Sequence, residues 1–154
     1  MRTSILLVGL CAVTTVVAAP RKFIFVGWDT GDLAPYEIVA NAERLKATGC
    51  DGVGIYPRVQ KPEGSLKTRR AYPMGGETVD GASLAWMIPD LRKIAATPWL
   101  RETMFRVPGT AKKRLRWDDD AAWARYAANM GVIAATAKEG GLRGLILDSE
   151  DYYN

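Results

Sequence analysis

Residues 46–55 read Lys-Ala-Thr-Gly-Cys-Asp-Gly-Val-Gly-Ile, and residues 138–147 read Lys-Glu-Gly-Gly-Leu-Arg-Gly-Leu-Ile-Leu. In each, a helical pattern ends on a glycine, two residues intervene, and a second glycine leads into an apolar run. Glycine just past a helix supplies the left-handed turn that releases its last carbonyls, and a short apolar run bounded by glycine reads as a buried strand. The same helix-to-strand joint therefore occurs twice, which is what a repeated βα unit predicts.

Working outward from the joints, the chain alternates. Residues 22–28, Lys-Phe-Ile-Phe-Val-Gly-Trp, form a β-branched and aromatic run that ends in a turn cluster, the pattern of a first strand. Pro35 can open a helix over 36–48, with Ile38, Ala42 and Leu45 at helical spacing. Residues 53–56 make a second strand that Pro57 ends. A long polar stretch follows, then a helix capped by Asp80 or Ser83, with a break expected at Pro89. Residues 103–107 read as a third strand. Asp118, Asp119 and Asp120 lead a long helix whose inner face is marked by Trp123, Ala127, Met130, Ala134 and Ala137. Residues 144–148 complete the pattern as a fourth strand.

The order βαβαβαβ predicts an α/β fold with a parallel sheet and crossover helices. A doubly wound sheet is one form. The loop after the first strand, however, lacks the G-x-G-x-x-G phosphate cradle. The loops after strands are long and carry Trp, Arg, Tyr and Asp, whereas those before strands are short glycine turns, as in barrel enzymes. The expectation is the N-terminal half of a (β/α)8 TIM barrel, with four parallel strands in sequential order and helices on one face. Such a barrel takes about 250 residues, so 20–154 is expected to be a partial barrel domain truncated after strand four. A half barrel would expose strand edges and self-associate.

The first 19 residues differ from the rest. Arg2 precedes an uncharged, largely apolar run over 5–19 that closes on Val16-Val17-Ala18-Ala19. This is the pattern of a cleaved secretory signal peptide, and it is short for a membrane span. Export to a secreted or periplasmic location follows, with no stable membrane insertion after cleavage. Cleavage removes Cys11 and leaves Cys50, so no intramolecular disulfide is expected, and Cys50 reads as a small apolar residue. The formal net charge is +4, with basic residues concentrated in 58–70 and 112–116. Export argues against nucleic acid as the partner. The chain has no histidine, which excludes a Ser-His-Asp or Cys-His pair and a histidine-based zinc site. No metal and no cofactor is expected.

Carboxylates are what remains. Side chains alternate along a strand, so Asp148 and Glu150 fall on one side at the end of strand four, where paired acids can divide acid and base roles. Position at strand ends adds Trp28 and Asp29 after strand one, and Tyr56 and Arg58 after strand two, as substrate-binding candidates. Arg106, inside strand three, needs a carboxylate partner, for which Asp148 or Glu150 would serve. Arg69, Arg70 and the basic residues of 112–116 read as solvated loops, with an acidic glycan as the sharper alternative.

Residues 145–152, Leu-Ile-Leu-Asp-Ser-Glu-Asp-Tyr, resemble the end of the fourth strand in (β/α)8 glycoside hydrolases of the chitinase-like kind. Asp148, Glu150 and Tyr152 match that pattern, while Arg143 and Ile146 stand where it has further aspartates. Together with Phe-Val-Gly-Trp-Asp over 25–29 and Asp-Gly-Val-Gly-Ile-Tyr over 51–56, the chain resembles an exported glycosidase-like family. The resemblance implies a carbohydrate substrate, Glu150 as general acid and Asp148 as its electrostatic or substrate-orienting partner. Tyr152 would join the binding residues. A non-catalytic carbohydrate-binding or cell-surface protein and a barrel lyase or isomerase stand as alternatives.

Overall fold

The computed structural model describes residues 22–25, 33–61, 63, 69–109 and 115–148. Among these, the parallel sheet runs in sequential order: β1 (Ile24–Phe25), β2 (Gly52–Ile55), β3 (Met104–Pro108) and β4 (Leu145–Asp148). The helices are α1 (Pro35–Ala40), α2 (Ala42–Lys46), α3 (Gly81–Leu84), α4 (Ile88–Ala96) and α5 (Asp120–Glu139), with a 3-10 turn at Ala85–Met87.

The half-barrel expectation is corrected here. The described residues form a small α/β domain whose sheet proper has three parallel strands, β2 to β4. Of the first expected strand, the described residues contribute the two-residue flank Ile24–Phe25, matching Ile24 to Gly52 and Phe25 to Val53, and 26–28 lie outside the described residues. The reason lies in strand length. β2, β3 and β4 run to four, five and four residues, and Gly54 and Ile55 of β2 face Met104 and Phe105 of β3. Among the described residues these make a short open sheet, whereas a barrel closes only when its full set of strands has consistent tilt and shear. β3 and β4 pair more fully, from Phe105 opposite Leu145 to Pro108 opposite Asp148.

Both helix-to-strand joints take the same form. Gly49 and Gly141 have φ of 70° and 75°, and each donates its N–H to the carbonyl of the matching lysine, Lys46 or Lys138, at 3.1 Å. The second glycines differ. A Cβ on Gly52 would lie 2.4 Å from the Glu102 carbonyl carbon, whereas one on Gly144 would meet nothing within 4 Å.

Two helices depart from the sequence pattern. The helix expected over 36–48 divides at Asn41, whose amide donates to the Glu37 carbonyl at 2.8 Å and competes with the backbone ladder. Pro35 opens α1 as expected, and the break near Pro89 falls just before it, with Ile88 and Pro89 starting α4. Asp80 caps α3 through Ala82 N–H, and Asp119 caps α5 through Ala122 N–H. The inner face of α5 is Ala122, Asn129, Ile133, Thr136 and Ala137. Of the expected set, Ala137 is buried, Met130 and Trp123 are half-buried, and Ala127 and Ala134 are exposed.

Alternation along the strands separates two faces. Val53, Ile55, Phe105 and Val107 join Ile38, Leu91, Ile94 and Ile133 in the core beneath the helices. Tyr56, Arg106 and Asp148 fall on the other face. The first 19 residues, where export was read, lie outside the described residues. No described helix is long and apolar enough to cross a membrane.

Candidate functional site

The C-terminal ends of β2, β3 and β4 bring together four of the candidate residues. Arg106 stands opposite Ile146 in the register, and Asp148 stands opposite Pro108. The arginine reaches diagonally, with Nε 2.8 Å and the terminal Nη2 2.7 Å from Asp148 Oδ2. Diagonal neighbours on a sheet lie within reach of long side chains. Both groups are largely covered, with side-chain exposures of 8% and 19%, and such charge-assisted bonds are strong where water is excluded.

Tyr56, directly after β2, is the hub of this face. The Arg106 guanidinium carbon lies 5.2 Å from its ring centroid, and that of Arg70 lies 4.0 Å away. Both distances suit a cation–π contact. With only 2% of its surface exposed, Tyr56 seats arginines and offers no open ring face to a ligand. Arg70 arrives because its backbone forms an antiparallel bridge with Arg58. That bridge is flanked by hydrogen bonds from Ala71 N–H to Pro57 O and from Val59 N–H to Arg69 O. Arg58 is itself buried. Burial pushes its guanidinium below the ordinary arginine value, against the opposing pull of Glu37.

The loop that delivers Arg70 is held from beneath by one side chain. Asn129 on α5 donates to the carbonyls of Pro73 and Glu77 at 2.9 and 2.8 Å, and accepts from Val79 N–H at 2.8 Å. Between this loop and the start of α3 lies a cavity of about 140 Å3, bordered by Arg69, Arg70, Tyr72, Glu77 and Ser83 among others. Arg69 and Glu77 form an ion pair on its rim.

Sequence reading found Tyr56, Arg58, Arg106 and Asp148, which the structure assembles. Trp28, Asp29, Glu150 and Tyr152 lie outside the described residues. Reading missed the parts played by Arg70 and Asn129. For Asn129 a signal was present: a polar residue four positions before Ile133 and seven before Thr136, on the buried spacing of a helix. For Arg70 there was none, since its role comes from a bridge to a residue twelve positions away. Among the described residues no cluster of His, Cys, Asp and Glu is arranged to hold a metal ion.

As chemistry, the arrangement presents an anchored carboxylate at the carboxyl ends of parallel strands, where ligands of open α/β sheets bind. Asp148 receives two N–H groups from one guanidinium, so it acts as a fixed acceptor and charge. In comparisons with known proteins, no family model, no curated protein and no solved structure matches the chain.

Proposed function

We propose that this protein is an exported carbohydrate-active hydrolase whose site lies at the C-terminal edge of the sheet. The observation that carries the reading is the Arg106–Asp148 pair at the ends of β3 and β4, beside Tyr56. It gives the acid-tipped fourth strand a held carboxylate two residues before Glu150 in the sequence. In this reading Asp148, oriented by Arg106, accepts a hydrogen bond from a hydroxyl or amide N–H of the sugar and fixes the ring. Glu150, two residues on, is the general acid that protonates the departing glycosidic oxygen. Charge developing on the sugar ring as that bond breaks is stabilised by the neighbouring carboxylate, and a water molecule then adds to the anomeric carbon and gives its proton to the Glu150 carboxylate. Arg58, Arg70 and Arg106 hold the charge pattern of the floor, and Trp28, Asp29 and Tyr152 are proposed as further binding residues.

Non-catalytic carbohydrate binding is the second reading. It is favoured by the way the Arg106 guanidinium takes up Asp148 Oδ2, which suits a positioning group better than a proton carrier.

A screen of aryl glycosides and soluble oligosaccharides with the wild-type chain and Asp148→Asn tests the proposal. Hydrolysis that Asp148→Asn reduces supports the hydrolase. Binding without hydrolysis supports the second reading, and neither activity on any glycan removes both.

A further inference from the structure

A second aromatic feature stands apart from the carboxylates. Trp117, in the segment between β3 and α5, is 88% exposed. Its ring stacks on that of Trp123 with centroids 5.5 Å apart and planes 26° from parallel. Trp123 in turn meets Tyr126 edge-on at 5.9 Å. The stack is held in place: Trp123 Nε1–H donates to the Arg116 carbonyl at 3.1 Å. Arg116 also grips Asp118 through two hydrogen bonds of 2.9 and 2.8 Å, closing the turn on which Trp117 sits. A tryptophan that merely filled space would be covered. This one touches Trp123 and is otherwise open to solvent.

We propose that Trp117, backed by Trp123, is a platform on which one sugar ring of a glycan chain stacks. Its ligand class rests on the carbohydrate reading above, but its geometry is independent of the carboxylates. The chemistry selects among occupants. One indole face is far smaller than the roughly 1,000 Å2 a specific protein interface needs, so a second copy of the chain is a poor fit. Lys112, Lys113, Arg114 and Arg116 precede it and Asp118, Asp119 and Asp120 follow it in the sequence, so the charge beside the ring is mixed, and a lipid surface is the competing occupant that the test separates. A pyranose ring has an apolar C–H face of indole size and a rim of hydroxyls. Those hydroxyls suit the adjacent carboxylates and the Arg116 guanidinium.

The experiment titrates the full chain with hexasaccharides of glucose, N-acetylglucosamine and galacturonic acid, followed by calorimetry and tryptophan fluorescence. At least one is expected to bind. Trp117→Ala should weaken that binding about tenfold, and Trp117→Phe should recover most of it. Circular dichroism should match wild type in both variants, since an exposed ring adds little to folding. Sugar binding without hydrolysis leaves the platform standing and overturns the catalytic reading alone. The platform is overturned if no hexasaccharide binds or if Trp117→Ala binds with unchanged affinity. It is also overturned if the substitution abolishes self-association or vesicle binding and leaves sugar binding intact.

Discussion

Arg106 reaches diagonally across the β3–β4 ladder to Asp148, placing Nη2 2.7 Å from Oδ2 between two largely covered side chains. Removing one partner strands the other charge in a poorly hydrated place. Asp148→Leu should therefore cost about 3 kcal/mol. The double variant Arg106→Met with Asp148→Leu should recover much of that loss, because two apolar groups satisfy each other. Urea denaturation of the two single variants and the double closes the cycle. Additive losses would mean that the pair is not energetically coupled.

The two joints permit a sharper comparison. Gly52→Ala drives a methyl group into the Glu102–Thr103 peptide and should cost about 2–3 kcal/mol, the upper part of the range for overpacking. Gly144→Ala, with open space around it, should change stability by no more than about 0.5 kcal/mol. Thermal melts of the two variants decide the matter, and equal effects would contradict the close approach at Gly52.

Asn129 predicts a local opening. Asn129→Leu keeps the side-chain volume near that of the original but removes three hydrogen bonds to the 73–79 segment. It leaves buried backbone groups without partners, at a cost of about 3 kcal/mol. The amide of Val79 should then exchange with solvent much faster than the amides of β3, as read by hydrogen exchange. Unchanged protection at Val79 would show that the loop is held by something other than Asn129.

Asp118 gives a pH dependence of known sign. Its hydrogen bonds from Arg116 hold its carboxyl below the ordinary aspartate value of 3.8. A depressed folded value means that the pair's contribution is present at neutral pH and is lost as pH falls through that value. Arg116→Gln should raise the Asp118 midpoint toward 3.8, as followed by carboxyl carbon chemical shifts. An unmoved midpoint would mean that Arg116 does not engage Asp118 in solution.

What was legible in the sequence was local. Glycine, proline and aspartate mark caps and joints through backbone chemistry that acts within a few residues, so Pro35, Gly49 and Gly141 could be read directly, Asp80 as one of two candidate caps, and Asp119 as one of the acids that lead α5. The pairing of Arg106 with a carboxylate was legible too, because a charge inside an apolar strand requires a partner. Strand extent was not. How far each strand pairs is a long-range property that no local pattern encodes, and that is where the half-barrel expectation failed. The bridge that brings Arg70 onto Tyr56 is likewise tertiary. The inner face of α5 was misread because alanine is at home on either side of a helix, while the buried Asn129 was passed over as polar.

The central claim, that Asp148 at the end of β4 and Glu150 after it perform glycoside hydrolysis, is tested most directly by sugar release from a glycoside panel with wild type and Glu150→Gln, with thermal melts alongside. The account predicts hydrolysis of at least one glycoside by wild type. It also predicts a fall of about 10²- to 10⁴-fold in Glu150→Gln, the usual effect of losing a general acid, at an unchanged melting temperature. Equal rates in the two proteins would contradict it.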